Sequence, residues 1–242
     1  MRLVSLFRRV ERAAQLTKYW AKCVKARLVQ RWAELAGAGA GHQGALSLLQ
    51  QFYPELADEA AQQRAWVAEV FPEEEPGQLV CGLLTDCLAA LEPSPAFCVQ
   101  ADLKLAEKEG GEAGLELLLQ VRAATEHLMT SCEAGVAGTG QGRLRELGRE
   151  VWRPLAGPLG RYEELEGGRL EREVRSWAGD TKRDTIEELQ ALTGAAPRLP
   201  ALLLAATVRC HDLSRHTACP ALTRAAARAV AAHLERYSEY KR

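Results

Sequence analysis

The sequence has 242 residues, a net charge of −1 and 47% hydrophobic residues, so it is not a disordered chain and can form one large domain or two small ones. It contains 40 alanines and 36 leucines but only 14 valines and one isoleucine. Alanine and leucine favour helices, whereas β-branched residues supply most buried strand positions. No stretch approaches the roughly 18 consecutive apolar residues of a membrane-spanning helix. The composition therefore predicts an all-α protein without a sheet.

The first two predicted helices are amphipathic. Apolar residues recur in steps of three and four over residues 3–35, and four glycines between positions 37 and 44 end this first helix. The same pattern predicts a second helix over residues 46–70. Pro54 lies inside it and is expected to kink or divide it, because proline lacks the amide hydrogen that a helix needs.

Proline and glycine separate the next predicted helices. A third helix is expected over residues 78–91, and Ser94 is expected to cap the fourth, with Pro95 at its first position. Gly110 and Gly111 interrupt the chain again. A long fifth helix then carries apolar residues on one face, namely Leu115, Leu118, Val121, Leu128 and Cys132.

The C-terminal half contains further helices of the same kind. One begins near Leu144 and is expected to be distorted by Pro154 and Pro158, another covers residues 163–178, and Asp184 with Glu187 resembles a capping box. Two more are expected over residues 202–215 and in the alanine-rich segment after residue 220.

Short loops between eight to ten helices favour antiparallel neighbours. We predict an elongated stack of antiparallel helices, a continuous rod with an N-terminal region of residues 1–136 and a C-terminal region of residues 137–242.

Positive charge is concentrated at the N-terminal end. Residues 1–36 carry nine lysines and arginines and two glutamates, a net charge of +7, and the rest of the chain carries −8. This segment favours an acidic partner or an anionic membrane surface, although a solvated helix face has the same pattern.

Tyr19, Trp20 and Trp32 lie among the cations, a mixture that also occurs in RNA-binding segments. Both tryptophans share a stripe with Val24 and Leu28, so we expect them in the core and predict no nucleic-acid partner.

The seven cysteines are odd in number and irregularly spaced, which predicts buried free thiols in a reducing compartment.

Cys210, His211, His216 and Cys219 are four possible zinc ligands, but the adjacent Cys210 and His211 diverge by about 100° on a helix. His211 and Asp212 also form the doublet of helical metal-dependent phosphohydrolases, yet no aspartate follows Asp212 to complete such a site. We therefore predict no catalytic residue, no metal, no cofactor and no enzymatic activity.

Three stretches of the chain, residues 12–35, 52–91 and 144–173, carry an ordered set of familiar residues. These residues are Gln15, Leu16, Tyr19, Trp20, Lys22, Cys23, Leu28, Trp32, Ala33, Glu34, Leu35, residues 66–71, residues 144–147, Val151, Pro154, Arg161, Tyr162, Leu165, Glu166 and Leu170. Together they resemble the family of subunit seven of the conserved oligomeric Golgi complex. A later piece from Arg209 to Tyr237 is compatible with the same family.

The resemblance implies a peripheral protein on the cytoplasmic face of the Golgi membrane. It would be a scaffold subunit of a vesicle-tethering complex in intra-Golgi retrograde transport, with the other subunits, vesicle-transport proteins and the Golgi membrane as partners. Family members are longer at both ends, so the chain is expected to be an internal fragment or a shortened version. The alternatives are an unrelated all-helical adaptor and a different tethering-complex subunit. The partner-binding residues stay unknown at this stage, because helix interfaces within and between subunits use the same residue types.

Overall fold

The computed structural model describes residues 13–38, 44–109, 112–134, 136, 141–177, 194, 197–214, 224, 227–228 and 231. This part of the chain forms eight helices and no strand. The helices are α1 (Ala13–Ala38), α2 (Ala45–Val70), α3 (Pro76–Leu88), α4 (Pro95–Glu109), α5 (Glu112–Glu133), α6 (Gln141–Gly160), α7 (Tyr162–Trp177) and α8 (Arg198–Ser214). The predicted all-α class is confirmed. Residues 1–12 of the first predicted helix, the capping box at Asp184 and most of the alanine-rich last helix lie outside the described residues.

Two of the helices continue through the prolines inside them. α2 runs through Pro54 without dividing, and α6 runs through Pro154 and Pro158. Both Pro54 and the preceding Gln50 are exposed, so water can hydrate the Gln50 carbonyl that loses its helical hydrogen bond. At the start of α4 the prediction is confirmed: the Phe97 amide donates a 3.2 Å hydrogen bond to Ser94 Oγ, and Pro95 is the first helical residue.

The chain separates into two compact units, neither of which is a continuous stretch of sequence. The first comprises Met1–Asp102 and Val121–Ala156, and the second comprises Leu103–Gln120 and Gly157–Arg242. α4, α5 and α6 therefore each contribute residues to both units. The division of one continuous helical rod into an N-terminal region of residues 1–136 and a C-terminal region of residues 137–242 stays a prediction.

In the first unit, α1 and α2 pack side by side in opposite directions. Trp20 of α1 contacts Trp66 of α2, and Trp32, further along α1, contacts Phe52, earlier in α2. From residue 20 onwards the predicted apolar stripe of α1 is buried, at Trp20, Val24, Leu28, Trp32 and Leu35, whereas Ala14 is exposed. The periodicity of the sequence therefore identified the face of α1 that enters the core.

A carboxylate from a distant helix caps the N-terminus of α2. The N-cap residue Gly44 has no side chain to do this, and instead Asp102 Oδ2 of α4 accepts a 2.5 Å hydrogen bond from the Ala45 amide. The negative charge also lies at the positive end of the helix dipole. A Cβ at position 44 would lie 2.9 Å from Asp102 Oδ2, so a larger residue there would displace the capping carboxylate.

Tyr53 of α2 buries a hydroxyl group that has no hydrogen-bond partner, although the side chain is only 1% exposed. Burial raises the pKa of this phenol, which stays neutral. A buried unpaired hydroxyl costs about 1–3 kcal/mol of desolvation. We expect Tyr53→Phe to raise the free energy of unfolding by about 1 kcal/mol in urea titrations, since only the unpaired oxygen is lost. A decrease of similar size would show that the hydroxyl is hydrogen-bonded to water.

The second unit has its own core, to which α7 and α8 both contribute. Leu170 of α7 and Ala206 of α8 are fully buried against each other, with Leu202 and Leu203 of α8 packed on them. The small side chain of Ala206 suits a close approach of the two helices. This apolar contact also brings polar residues of α7 and α8 close to each other.

Candidate interaction surface

A chain of hydrogen bonds runs along the seam between α1 and α2. Trp20 Nε1 donates to Gln63 Oε1 at 2.6 Å, and Gln63 Nε2 donates to Glu59 Oε1, also at 2.6 Å. Arg27 donates to the same oxygen of Glu59 and forms an ion pair with it. Each group in this chain fixes the next, so the Trp20 ring has a defined orientation at the edge of the core.

Aromatic contacts hold both ends of the seam. Trp66 stacks on Trp20 with ring centroids 5.8 Å apart, and its ring meets Phe71 edge-on at 5.7 Å. At the other end, Trp32 meets Phe52 edge-on at 5.1 Å, and Trp32 Nε1 donates a 2.8 Å hydrogen bond to the Pro93 carbonyl. The prediction that Trp20 and Trp32 belong to the core is confirmed.

Arg31 and Glu55 form a two-pronged ion pair across the seam. Arg31 Nε donates to Glu55 Oε2 at 2.8 Å and Nη2 donates to Oε1 at 2.6 Å. The hydrogen bonds from Arg31 hold the pKa of Glu55 below its ordinary value of 4.5. Both side chains are 42% exposed, so solvent screens the pair and its contribution to stability is small.

This pair makes a pH-dependent prediction. Because the folded-state pKa of Glu55 is lowered, its stabilisation is fully present above the unfolded-state pKa and is lost as the pH falls through the folded-state pKa. We expect Arg31→Ala to have a slightly lower urea midpoint than the parent at about pH 7, with the gap closing towards about pH 3. Arg149→Ala on α6, an exposed control, should leave the midpoint unchanged at both pH values. A gap that persists at low pH would assign the effect to packing of the Arg31 stem.

Two open clefts lie along the same seam and share Arg27. One has a volume of about 480 Å³ and is lined by Trp20, Cys23, Val24, Arg27, Gln62, Gln63 and Trp66. The other has a volume of about 340 Å³ and is lined by Arg27, Leu28, Gln30, Arg31, Glu34, Glu55 and Glu59. Indole faces, amide groups and paired charges line the two clefts. Such groups suit non-covalent binding of a partner.

The outward face of α1 near its N-terminus is basic and carries an exposed tyrosine. Lys18 and Lys22 are exposed and lie one helical turn apart, and Tyr19 is 68% exposed beside them. A hydrogen bond between the Tyr19 hydroxyl and the neighbouring Cys23 thiol raises the pKa of Tyr19. We call Lys18, Tyr19 and Lys22 the basic face of α1.

The residues considered for metal binding do not converge in the described part of the chain. On α8, Cys210 is buried and His211 is exposed, as expected of adjacent helical residues. His216 and Cys219 lie outside the described residues. Across the residues that the structure describes, no group of three or more His, Cys, Asp or Glu side chains is arranged to hold a metal ion.

Six of the seven cysteines are described, and all six are free thiols. The predicted burial is confirmed for four of them, and burial raises the pKa of both Cys87 and Cys132 to about 12, which makes these thiols unreactive at neutral pH. Cys98 is half-buried. Cys23 is exposed because it lies about 100° around α1 from Val24 in the buried stripe.

The second unit contains a buried ionic cluster centred on Glu166 of α7, which is fully buried. Arg209 of α8 donates to both carboxylate oxygens, from Nη2 to Oε1 at 2.6 Å and from Nε to Oε2 at 3.2 Å. Arg169 Nε donates to Oε1 at 3.3 Å, and the Tyr162 hydroxyl donates to Oε2 at 3.3 Å. Burial and the Glu166 charge raise the pKa of Tyr162, whose hydroxyl also lies 3.4 Å from the Ala206 carbonyl oxygen.

The composition and periodicity of the sequence do not predict this cluster. Glu166 lies in a charged stretch of low hydrophobicity, where a glutamate is normally solvated. The only early signal is that Tyr162, Glu166 and Arg209 are among the residues in which the chain resembles the Golgi-complex family. Their partnership depends on the contact between α7 and α8, which the sequence alone does not reveal.

None of the helices in the described residues is both long enough and apolar enough to cross a membrane.

Comparison with known proteins gives a consistent result. The model of the family described as Golgi complex component 7 (COG7) matches residues 1–242. Conserved oligomeric Golgi complex subunit 7 of Homo sapiens is 33% identical over 133 residues, covering 54% of this chain and 16% of the human protein. The Mus musculus protein of the same name is 28% identical over 214 residues, covering 86% of this chain and 26% of the mouse protein.

The chain thus spans about a quarter or less of the length of these curated relatives. No solved structure matches it. Because the family model covers the chain from residue 1 to residue 242, and the relatives with significant similarity carry the same name, this chain belongs to the Golgi complex component 7 family.

Proposed function

We propose that this chain is part of a subunit of the Golgi vesicle-tethering complex and acts in intra-Golgi retrograde vesicle transport. The observation that carries the proposal is the family match over residues 1–242. Its mode of action is scaffolding: the protein binds and positions other proteins and catalyses no reaction. The helical architecture supports this role, since exposed faces of packed helices commonly bind helices of other chains.

The proposed partners are the other subunits of the same complex, vesicle-transport proteins and, peripherally, the Golgi membrane on its cytoplasmic face. We propose no nucleic-acid partner, since two of the three aromatic residues that suggested RNA stacking, Trp20 and Trp32, are buried in the core. The curated relatives are much longer than this chain, which covers 16% of the human protein and 26% of the mouse protein.

The test is purification of the tagged complete gene product from its own cells, followed by mass spectrometry of the proteins that co-elute. We expect the other subunits of the Golgi tether at similar abundance. An equally expressed, tagged all-helical protein of unrelated family is the control for non-specific capture. A clean preparation without the other subunits, or a stable complex with a different set of proteins, would overturn the proposal.

A further inference from the structure

α8 has a second apolar side, opposite to the one that packs against α7. The packed side carries Ala206 and Cys210, which are both buried. Four apolar residues lie on the other side of the helix and are exposed, namely Ala201, Leu204, Ala205 and Val208. We call these four residues the outer face of α8. A helix that is apolar on both sides normally has both sides covered.

The outer face forms a continuous patch. Leu204 is 65% exposed and Val208 is 52% exposed, and the two lie one helical turn apart. Ala201 and Ala205, also one turn apart, lie beside them and leave a shallow groove along the helix. Small residues next to large ones let the backbone of a second helix approach closely, so the patch suits a helix as its partner.

An exposed charge lies at each end of the outer face. Arg198 is the first residue of α8, and Asp212 lies in its last turn, about 21 Å further along the helix. The interval between them is close to four helical turns, so both charges lie in line with the apolar patch. Within the described part of the chain, neither side chain takes part in an ion pair.

These two charges oppose the dipole of their own helix. The N-terminal end of a helix is its positive end, so an arginine at the start of α8 and an aspartate in its last turn are both unfavourable for an isolated helix. In an antiparallel pair formed by two copies of α8, Arg198 of each copy would lie beside Asp212 of the other. Each charge would then meet an opposite charge and the favourable end of a neighbouring helix dipole.

The sizes of the apolar side chains fit the same arrangement. A two-fold axis between residues 204 and 205 brings Leu204 of each copy opposite Ala205 of the other. The same axis brings Val208 opposite Ala201. Each large side chain then meets a small one, as close helix packing requires. The outer face is therefore complementary to itself in charge and in size, which is the condition for a symmetric interface between identical chains.

We propose that two copies of this chain associate through the outer face of α8, with the two helices antiparallel about a two-fold axis. The inference goes beyond the proposed function, since membership of a tethering complex does not require self-association, and either can fail without the other. One pair of helices buries far less than the roughly 1,600 Å² of a standard interface. We therefore expect weak association, with a dissociation constant on the order of 50 µM.

The experiment is sedimentation equilibrium of the 242-residue chain from about 1 µM to about 500 µM, a range that brackets the expected dissociation constant. A reducing agent excludes dimers linked through the exposed Cys23 thiol. We expect a reversible monomer–dimer equilibrium. A chain that stays monomeric over the whole range would overturn the proposal.

Two matched variants locate the contact. Leu204→Lys places a charge in the centre of the outer face and should weaken dimerisation at least about tenfold. Leu105→Lys makes the same change on α4, at a leucine that is also more than half exposed, and should leave the dissociation constant within about twofold of the parent value. Equal losses in the two variants would show non-specific association and contradict the assignment. Circular dichroism would verify that both variants fold.

Exchange of the two end charges tests the antiparallel arrangement. Arg198→Asp alone and Asp212→Arg alone each create two like-charge contacts in a symmetric dimer, so each should weaken association about fivefold. In an equimolar mixture of the two variants, the mixed dimer has opposite charges at both ends and should bind within about twofold of the parent. Native mass spectrometry distinguishes mixed dimers from symmetric ones. A mixture that associates no more tightly than either variant alone would overturn the proposal.

A sister subunit is the main alternative occupant of the outer face, and the complete gene product tests it. There Leu204→Lys should still co-purify with the other tether subunits, because the proposal assigns the face to a second copy of this chain. If the variant loses those subunits and the parent chain is monomeric, the face binds a sister subunit and the proposal is wrong.

Discussion

Replacing Glu166 by alanine is expected to lower the free energy of unfolding by about 3 kcal/mol, as measured by urea denaturation of the whole chain. The carboxylate is fully buried and accepts hydrogen bonds from Arg209, Arg169 and Tyr162. Its removal deprives both guanidinium groups of the buried carboxylate that they share. The expected loss lies at the lower end of the range for broken buried pairs, because the side chains of Arg209 and Arg169 are 22% and 12% exposed and keep some hydration.

Two variants control this measurement. Glu164→Ala removes an exposed glutamate two residues away and should change stability by less than about 0.5 kcal/mol. Glu166→Gln keeps the shape and one acceptor oxygen, so its loss should be intermediate. A loss below about 1 kcal/mol in Glu166→Ala would mean that water reaches the two arginines, and the cluster would then contribute little to the contact between α7 and α8.

Trp32→Ala should be the most damaging change in the first unit, lowering the free energy of unfolding by about 4 kcal/mol. The Trp32 side chain is fully buried, its ring packs on Phe52, and its indole nitrogen donates to the Pro93 carbonyl. Truncation leaves a large cavity that the surrounding helices can fill only in part. The measurement is chemical denaturation monitored by circular dichroism at equal protein concentrations.

Trp32→Phe divides the effect into its parts. Phenylalanine retains most of the buried apolar area but lacks the donor to Pro93, so we expect a loss of about 1–2 kcal/mol. Tyr19→Ala, at a strongly exposed aromatic position of the same helix, should leave the unfolding midpoint unchanged. A loss in Tyr19→Ala as large as in Trp32→Ala would contradict the assignment of the two faces of α1.

How much of this fold can be predicted from the sequence depends on how far apart in the chain the interacting residues lie. The apolar stripe of α1 from Trp20 onwards, the Ser94 cap and the buried face of α5 depend on residues three or four positions apart, and these were predicted correctly. α2 does not divide at Pro54, where the residue whose carbonyl is freed, Gln50, is exposed, and this exposure is set by the packing of the helices. Cys23 is exposed because it lies outside the buried face of α1. The number and spacing of the cysteines, on which the prediction of buried thiols was based, do not indicate this.

The candidate interaction surface was predicted only in outline. The net charge of +7 over residues 1–36 indicated an acidic or anionic partner, but it did not distinguish cations used in packing from cations left exposed. The structure makes this distinction, because Glu55 and Glu59 of α2 pair with Arg31 and Arg27. Such pairs depend on the register of two antiparallel helices, to which residues 24 and 32 positions apart contribute.

The sequence by itself determined the helical class, the buried faces of individual helices and the family, because composition, periodicity and collinear motifs are properties of the chain order. Only the tertiary structure decided that Asp102 caps α2, that Glu166 is buried between arginines, and that Lys18 and Lys22 remain exposed. Each of these depends on which helix packs next to which. The identity of a charged residue does not show whether water or a distant residue solvates its side chain, because that depends on the packing of the helices.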